Sequence, residues 1–164
     1  MAKSGIPELK IENAKLIFKN FSGEERKSPT TGKIVNRAGD RNFCVIIDDP
    51  EAADRLKSAG WNIKETKVND EYDDQLLYLP VAVEYSKIPP AIWMRNRNNT
   101  VMLTEETVGT LDRARIKTAD IVINPYAWEV NGKCGIKAYL QKAGFEIEID
   151  EFEEKWAAVE SPEE

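Results

Sequence analysis

Asn131 and Gly132 separate runs of apolar, β-branched and aromatic residues that favour β-strands. The runs cover residues 121–130 before the pair, and 133–140 and 145–149 after it. An Asn-Gly pair supplies the positive φ angles of a type I′ turn. We therefore predict a β-hairpin that turns at these two residues. Gly135 lies inside the returning strand and indicates a bulge, or a place where another backbone or a ligand approaches closely.

Most of the remaining chain also alternates with a period of two. Residues 9–21 place Ala14, Leu16 and Phe18 on one face and Lys15, Ile17 and Lys19 on the other, which predicts a half-buried strand. The β-branched run at 43–47 predicts a central strand buried on both faces. A strand pattern resumes at Trp61, Ile63 and Val68, and again at residues 76–85, where Pro80 suggests an edge or a bulge.

Two segments carry helix signals, and one reads as a long loop. Asp49 as a cap, Pro50 at the first position and Gly60 at the end predict a helix from Pro50 to Ala59. Residues 104–113 predict a second helix, with Thr104 as its cap and Leu103 placed against Val108, although Gly109 disfavours it. Residues 22–42 are too polar to pack and predict a long loop.

Five to seven strands with one or two short helices indicate a mainly β fold. An OB-like Greek-key barrel is the most economical closure, because it uses few strands and admits a helix in a connection. A β-sandwich is the second possibility. At 164 residues the chain fits one barrel domain at 1–149 and an acidic tail at 150–164.

Charge is divided unevenly along the chain. Residues 146–164 hold nine carboxylates against Lys155, a formal charge of −8, whereas residues 1–145 hold 22 Lys and Arg against 20 Asp and Glu, a charge of +2. A slightly basic body with an anionic end suits a protein that holds a polyanion without holding it too tightly. An acidic end that only solubilises the chain is the simpler interpretation of charge alone.

The residue inventory argues against an enzyme. The chain has no histidine, which excludes Ser-His and Cys-His nucleophile pairs and His-ligated zinc. The acid cluster at 70–74 could hold Mg²⁺ but reads more easily as a solvated loop, so we expect no metal and no cofactor. We expect Cys44 and Cys134 to be reduced thiols, with a bridge between them left open. With no membrane-length apolar run and no signal-like N-terminus, we expect a cytoplasmic protein.

Several aromatic residues have basic neighbours, as in proteins that stack bases and neutralise phosphates. The candidates are Arg37 and Arg41 beside the second strand, Trp61 with Lys64, Trp93 with Arg95 and Arg97, and Tyr126 and Trp128 with Lys133 and Lys137. Tryptophans in strands are more often part of the core, so we expect most of these rings to be structural. The segment Arg95–Asn99 contains no apolar residue and predicts an exposed loop, which could contact phosphate or be a merely soluble turn.

The order of KIENAKLIFKNF, of NRAGDRNFCVIIDDPEAADRLKSAGWNIK, of ADIVINPYAWEVNGKCGIKAYL and of the acidic end resembles bacteriophage single-stranded DNA-binding proteins. The resemblance covers most of the chain and rests on layout rather than on an invariant signature. It implies an OB-fold protein that coats single-stranded DNA during phage replication or recombination. It also implies an acidic tail that contacts replication proteins and competes for the DNA site.

The tail departs from this resemblance, because it ends in Ser161-Pro162-Glu163-Glu164 and carries its aromatics earlier. Phe152, Trp156 and Val159 have the spacing of one helical face, which could dock on a partner or on the chain's own domain.

The competing hypothesis is a β-barrel that binds another protein, in the host or the virion, and no nucleic acid; the near-neutral body favours it. A homo-oligomer, and a preference for DNA or RNA, stay open.

Overall fold

The chain forms mainly β-strands in a computed structural model that describes residues 6–66, 76–86, 88–96 and 99–148. In chain order the elements are β1 (Leu9–Ile11), β2 (Leu16–Asn20), β3 (Arg26–Lys27), β4 (Ile34–Asn36), β5 (Arg41–Ile46), the helix α1 (Pro50–Ala59), β6 (Lys64–Glu65), β7 (Leu77–Val83), β8 (Ala91–Asn96), β9 (Asn99–Leu103), a 3₁₀ helix (Val108–Asp112), β10 (Ile116–Val130) and β11 (Lys133–Ile147). The acid cluster, the acidic tail and the predicted tail contacts Phe152 and Trp156 lie outside the described residues. Within those residues, no helix has the length and apolarity needed to cross a membrane.

The strand order closes a barrel. β2, β5 and β7 form an antiparallel meander, β7 meets β11 in parallel at Ala82 and Tyr139, and β11 continues antiparallel to β10 and then to β1. Because β1 and β2 belong to one segment of the chain, that segment pairs with both ends of the sheet. The predicted mainly β, OB-like fold is confirmed.

The segment predicted as one strand at 9–21 is divided at Asn13. This residue has φ 52°, its amide donates to Asp120 Oδ1 at 3.1 Å, and the next amide, of Ala14, donates to the Ala119 carbonyl at 2.7 Å. Asparagine tolerates this left-handed backbone better than most residues. The resulting bend lets the segment leave β10 and continue along β5.

The predicted hairpin is confirmed, with φ 52° at Asn131 and 81° at Gly132 and with Val130 opposite Lys133. Gly135 is not at a bulge, because the pairing of β10 with β11 is regular there. It lies opposite Trp128, and a Cβ atom at Gly135 would lie 2.9 Å from Trp128 Cζ2. The glycine therefore makes room for the indole ring.

The predicted helix is confirmed with the same boundaries. Asp49 Oδ1 accepts from the Glu51 amide at 3.0 Å, and Gly60, at φ 111°, donates to the Lys57 carbonyl at 3.1 Å. The chain then passes to Trp61, which forms an isolated bridge with Ile136 of β11. The helix end is thereby attached to the long hairpin.

Two predictions at the 22–42 and 104–113 segments were wrong. The predicted loop contains the antiparallel pair β3 and β4. The predicted second helix is a 3₁₀ helix over Val108–Asp112, preceded by a turn in which the Thr104 amide donates to Thr107 Oγ1 at 2.8 Å. Gly109 packs so closely on Ser22 that a Cβ atom there would lie 3.1 Å from Ser22 Cβ, so tertiary packing decides this segment.

The core lies between the faces of the barrel strands and the 3₁₀ helix. Its large, fully buried members include Phe21, Phe43 and Phe145, and the Phe21 and Phe43 rings stack at 5.1 Å. β5 is fully buried on one face only, which corrects the expectation of a strand buried on both faces. Pro80 marks neither an edge strand nor a bulge. It lies where β7 changes partner from β6 to β11, so its missing amide hydrogen is tolerated.

Candidate nucleic-acid interface

The far half of the β10–β11 hairpin, residues 124–139, carries aromatic and basic side chains on one face; we call it the arm. Directly opposite residues of an antiparallel pair point to the same face. Tyr126 lies opposite Lys137, Trp128 opposite Gly135, and Val130 opposite Lys133. Tyr126 and Trp128 are 49% and 39% exposed, so both rings combine a fixed position with a surface open to solvent.

Contacts among these side chains hold the arm face together. The Tyr126 and Tyr139 rings meet edge to face at 6.1 Å between centroids, and Lys137 Nζ lies 5.2 Å from the Tyr139 ring centroid. Trp128 packs over Gly135. The predicted residues Tyr126, Trp128, Lys133 and Lys137 therefore belong to one surface.

A cleft of about 910 Å³ separates the arm from the edge of the barrel. On the arm side it is lined by residues that include Trp128, Cys134 and Lys137, and on the barrel side by parts of β5 and of β7 with the residues that follow it. Trp61 forms part of the lining between them, but it is only 5% exposed and belongs to the core. The ring of Trp61 is therefore structural, whereas the rings of Trp93, Tyr126 and Trp128 are each at least 38% exposed.

Arg41 lines the cleft but is already paired. Its Nη1 atom lies 3.1 Å from Glu105 Oε2, its Cζ atom lies 5.7 Å from the Tyr85 ring centroid, and its side chain is only 19% exposed. Arg41 Nε and the Tyr85 hydroxyl are buried and have no hydrogen-bond partner among the described residues. Burial raises the pKa of Tyr85 and Arg41 opposes that rise, so the hydroxyl keeps its proton at neutral pH and can donate.

The cleft walls are not cationic. Asp40, Glu84 and Glu105 lie in the lining with Arg41 and Lys137. Hydrogen bonds from Ser86 lower the pKa of Glu84, which keeps this carboxylate charged. The charged lining therefore consists of three carboxylates and two cations, and one of these cations, Lys137, belongs to the arm.

Both cysteines line this cleft, and both are free thiols. Cys44 is half-buried, and burial raises its pKa to about 11 although Lys64 acts in the opposite direction. Cys134 is exposed. The possible bridge is not formed in this structure.

The structure separates the remaining predicted residues from the arm. Lys64 is exposed on β6, opposite Tyr78. Arg37 is exposed in the turn after β4. Trp93 and Arg95 lie on β8 beside the body end of β11, where Trp93 is 38% exposed and Arg95 Nη2 lies 3.9 Å from Glu146 Oε1.

The segment Arg95–Asn99 differs from the predicted loop. Arg95 and Asn96 end β8, Asn99 begins β9, and Arg97 lies outside the described residues. The polar residues therefore include the paired ends of two strands, although Arg95 and Asn99 are exposed as predicted.

Residues that the sequence did not single out complete the surface. Tyr85 and Glu105 lie against Arg41 because β7 pairs with β5 and the segment after β9 passes nearby. Tyr139 belongs to the arm. It could have been found from the sequence, because the predicted turn at Asn131 and Gly132 fixes the register that places Tyr139 on the same face as Lys137. Nothing in the local pattern singles out Tyr85 or Glu105.

The chain matches the model of the family described as "Putative phage ssDNA-binding domain" over residues 2–164. A search of curated proteins finds no match. Among solved structures, it is similar to the single-stranded DNA-binding protein from bacteriophage Enc34 in complex with ssDNA, with 11% identity, a TM-score of 0.53, and coverage of 90% of this chain and 89% of that one. A C-terminal truncation of the Enc34 protein is also similar, with 11% identity, a TM-score of 0.52, and coverage of 90% and 88%. At this identity the likeness concerns the fold.

Proposed function

The chain belongs to the family of phage ssDNA-binding domains, and we propose that it binds single-stranded DNA without sequence preference through the arm and the adjoining cleft. The observation that carries the proposal is the arm face, where Tyr126 and Trp128 are exposed beside Lys133 and Lys137. Every base has a π-face, so stacking on such rings tolerates any sequence.

Binding of this kind needs no catalysis. Each stacked base contributes about 1–3 kcal/mol, and the lysines neutralise phosphates and release counterions, which makes affinity depend on salt. The cleft carboxylates repel phosphate and limit the affinity. A strand would therefore place its bases against the rings and its phosphates towards the arm lysines.

The acidic tail is the second part of the proposal. Residues 150–164 follow a body of nearly neutral charge and lower DNA affinity by competing for the same surface. Phe152 and Trp156 contact replication or recombination proteins in the host cytoplasm, where a phage DNA-binding protein would act. Deleting the residues after Asp150 should tighten DNA binding, and unchanged affinity would contradict the competition.

The test is a titration with an unstructured single-stranded oligonucleotide, followed by tryptophan fluorescence at low salt and then with added salt. K133A/K137A should weaken binding and reduce the slope of log K against log salt by about 1.4, at roughly 0.7 per phosphate contact of a single strand.

The matched control is K117A/K142A, which removes the same charge from exposed positions at the body end of the same two strands. If the two double variants have the same salt slope, the arm is not part of the DNA interface. If the intact chain and a tail-deleted form both fail to respond at low salt, DNA binding is refuted and a protein-interaction module becomes the working hypothesis.

A further inference from the structure

Phe18 has a backbone that its residue type rarely adopts. Its φ is 52°, and its side chain is 57% exposed. Among the described residues, the other non-glycine residues with positive φ are Asn13 and Asn131, and asparagine tolerates this region. For a bulky aromatic residue the conformation is strained by about 1–3 kcal/mol, and such strain concentrates at binding sites.

The strain has a visible structural result. The pairing of β2 with β5 shifts register between Ile17 and Asn20, and Phe18 lies inside this irregular stretch. Regular alternation predicted Phe18 on the same face as the buried Ala14, whereas the shift turns its ring towards solvent. The ring is not free there, because it meets the Tyr78 ring edge to face at 5.5 Å between centroids.

Tyr78 places this pair on the outer face of the barrel. It lies opposite Ile46 of β5 and opposite Lys64 of β6, and its neighbour Leu79 is fully buried in the core. Since neighbouring residues of a strand point to opposite faces, Tyr78 and Lys64 share the face that turns away from the core. An exposed lysine therefore lies on the same face as Tyr78, whose ring the Phe18 ring contacts.

This face is continuous with the cleft. Cys44 and Pro80 lie opposite each other, two residues from Ile46 and Tyr78 along their strands, and both line the cleft. Two residues of a strand span about 7 Å. The electrostatic effect of Lys64 on the Cys44 thiol agrees with this proximity.

We infer that Phe18, Tyr78 and Lys64 form a second stacking station for single-stranded DNA, reached by a strand that leaves the cleft across β5 and β7. The inference rests on the proposed function. The station supplies what a base and its phosphate require, namely an exposed ring held by a second ring and a nearby cation. It extends the binding site from the arm and cleft towards β2.

The experiment compares a short oligonucleotide, chosen as the shortest that binds with measurable affinity, with longer ones up to the length at which affinity no longer rises. Phe18→Leu keeps an apolar side chain and removes the ring. It should leave affinity for the short oligonucleotide unchanged and lower affinity for the long one by about fivefold or more, the loss of one stack. Phe18→Trp should retain the affinity for the long oligonucleotide, and thermal melting checks that each variant is folded.

The outcomes distinguish this inference from the proposed function. If K133A/K137A weakens both oligonucleotides and Phe18→Leu weakens neither, the station is refuted while the arm is supported; this result would leave a protein partner as the occupant of the Phe18 face. If Phe18→Leu weakens the short oligonucleotide as strongly as the long one, an extension of the site beyond the cleft is also refuted. If the intact chain binds no oligonucleotide, the proposed function itself fails.

Discussion

Replacing Glu105 with glutamine should tighten the binding of single-stranded DNA. Glu105 Oε2 lies 3.1 Å from Arg41 Nη1 at the wall of the cleft, and a phosphate there would compete with Glu105 for the N–H donors of Arg41. Glutamine preserves the shape of the side chain and removes its charge. Arg41 would then meet a phosphate without first losing a carboxylate partner.

The size of the effect follows from the exposure of the pair. At 3.1 Å an effective dielectric constant of 20 would give about 5 kcal/mol of direct attraction. The Glu105 side chain is 51% exposed, however, so solvent screening reduces the net worth of the pair to about 0.5–1 kcal/mol. We expect affinity to rise about two- to fivefold in Glu105→Gln.

The assay is the oligonucleotide titration at several salt concentrations, with Glu106→Gln as the matched control. Glu106 is an exposed neighbouring carboxylate that does not pair with Arg41. If Arg41 gains a phosphate contact only in the variant, the salt slope also steepens by about 0.7; if it already exchanges partners in the natural chain, affinity rises with no change of slope. Equal affinities for the two variants would refute the role given to Arg41.

Three further changes test the cleft and the arm. Because the pKa of Cys44 is raised to about 11, the fraction of Cys44 present as thiolate grows only as the pH approaches that value. At pH 8 a thiol reagent should therefore label C134S, which retains Cys44, far more slowly than C44S, which retains the exposed Cys134. Equal labelling rates would contradict the buried position of Cys44. Gly132→Ala, at φ 81°, should destabilise the hairpin by about 1 kcal/mol, measured by chemical denaturation. Gly135→Ala should displace the Trp128 ring from its position over Gly135, which should shift the tryptophan emission and weaken DNA binding. An unchanged emission spectrum would show that the ring is not held there.

The sequence was sufficient to predict the hairpin because its turn geometry is local. A two-residue turn at Asn131 and Gly132 fixes the register of both strands, so that Tyr126 must face Lys137 and Trp128 must face Gly135. The same reasoning applies to the helix at 50–59, whose beginning and end are set by neighbouring residues. For the hairpin and for this helix, the local signals were sufficient and the predictions were confirmed.

The cleft and the β2 irregularity could not be predicted in this way. Arg41, Tyr85 and Glu105 are distant in sequence and meet only through strand pairing and the path of the chain after β9. Phe18 was placed on the same face as Ala14 and Leu16 because a period of two assumes a regular strand, and one shift of register reverses the face of a side chain. The 3₁₀ helix was missed for a related reason, since the contact between Gly109 and Ser22 is tertiary.

The distribution of charge in the described residues indicates which force would dominate binding. The guanidinium of Arg41 is paired, and carboxylates line the cleft. The cations best placed to contact phosphate are Lys133 and Lys137 on the arm and Lys64 on β6, opposite Tyr78. Three such contacts release few counterions, whereas exposed rings on the arm and at β2 each offer the energy of a stacked base. A surface built in this way would hold a single strand mainly by its bases. Paired duplex bases are already stacked on each other and cannot reach these rings, so the same arrangement would favour single strands over duplex DNA.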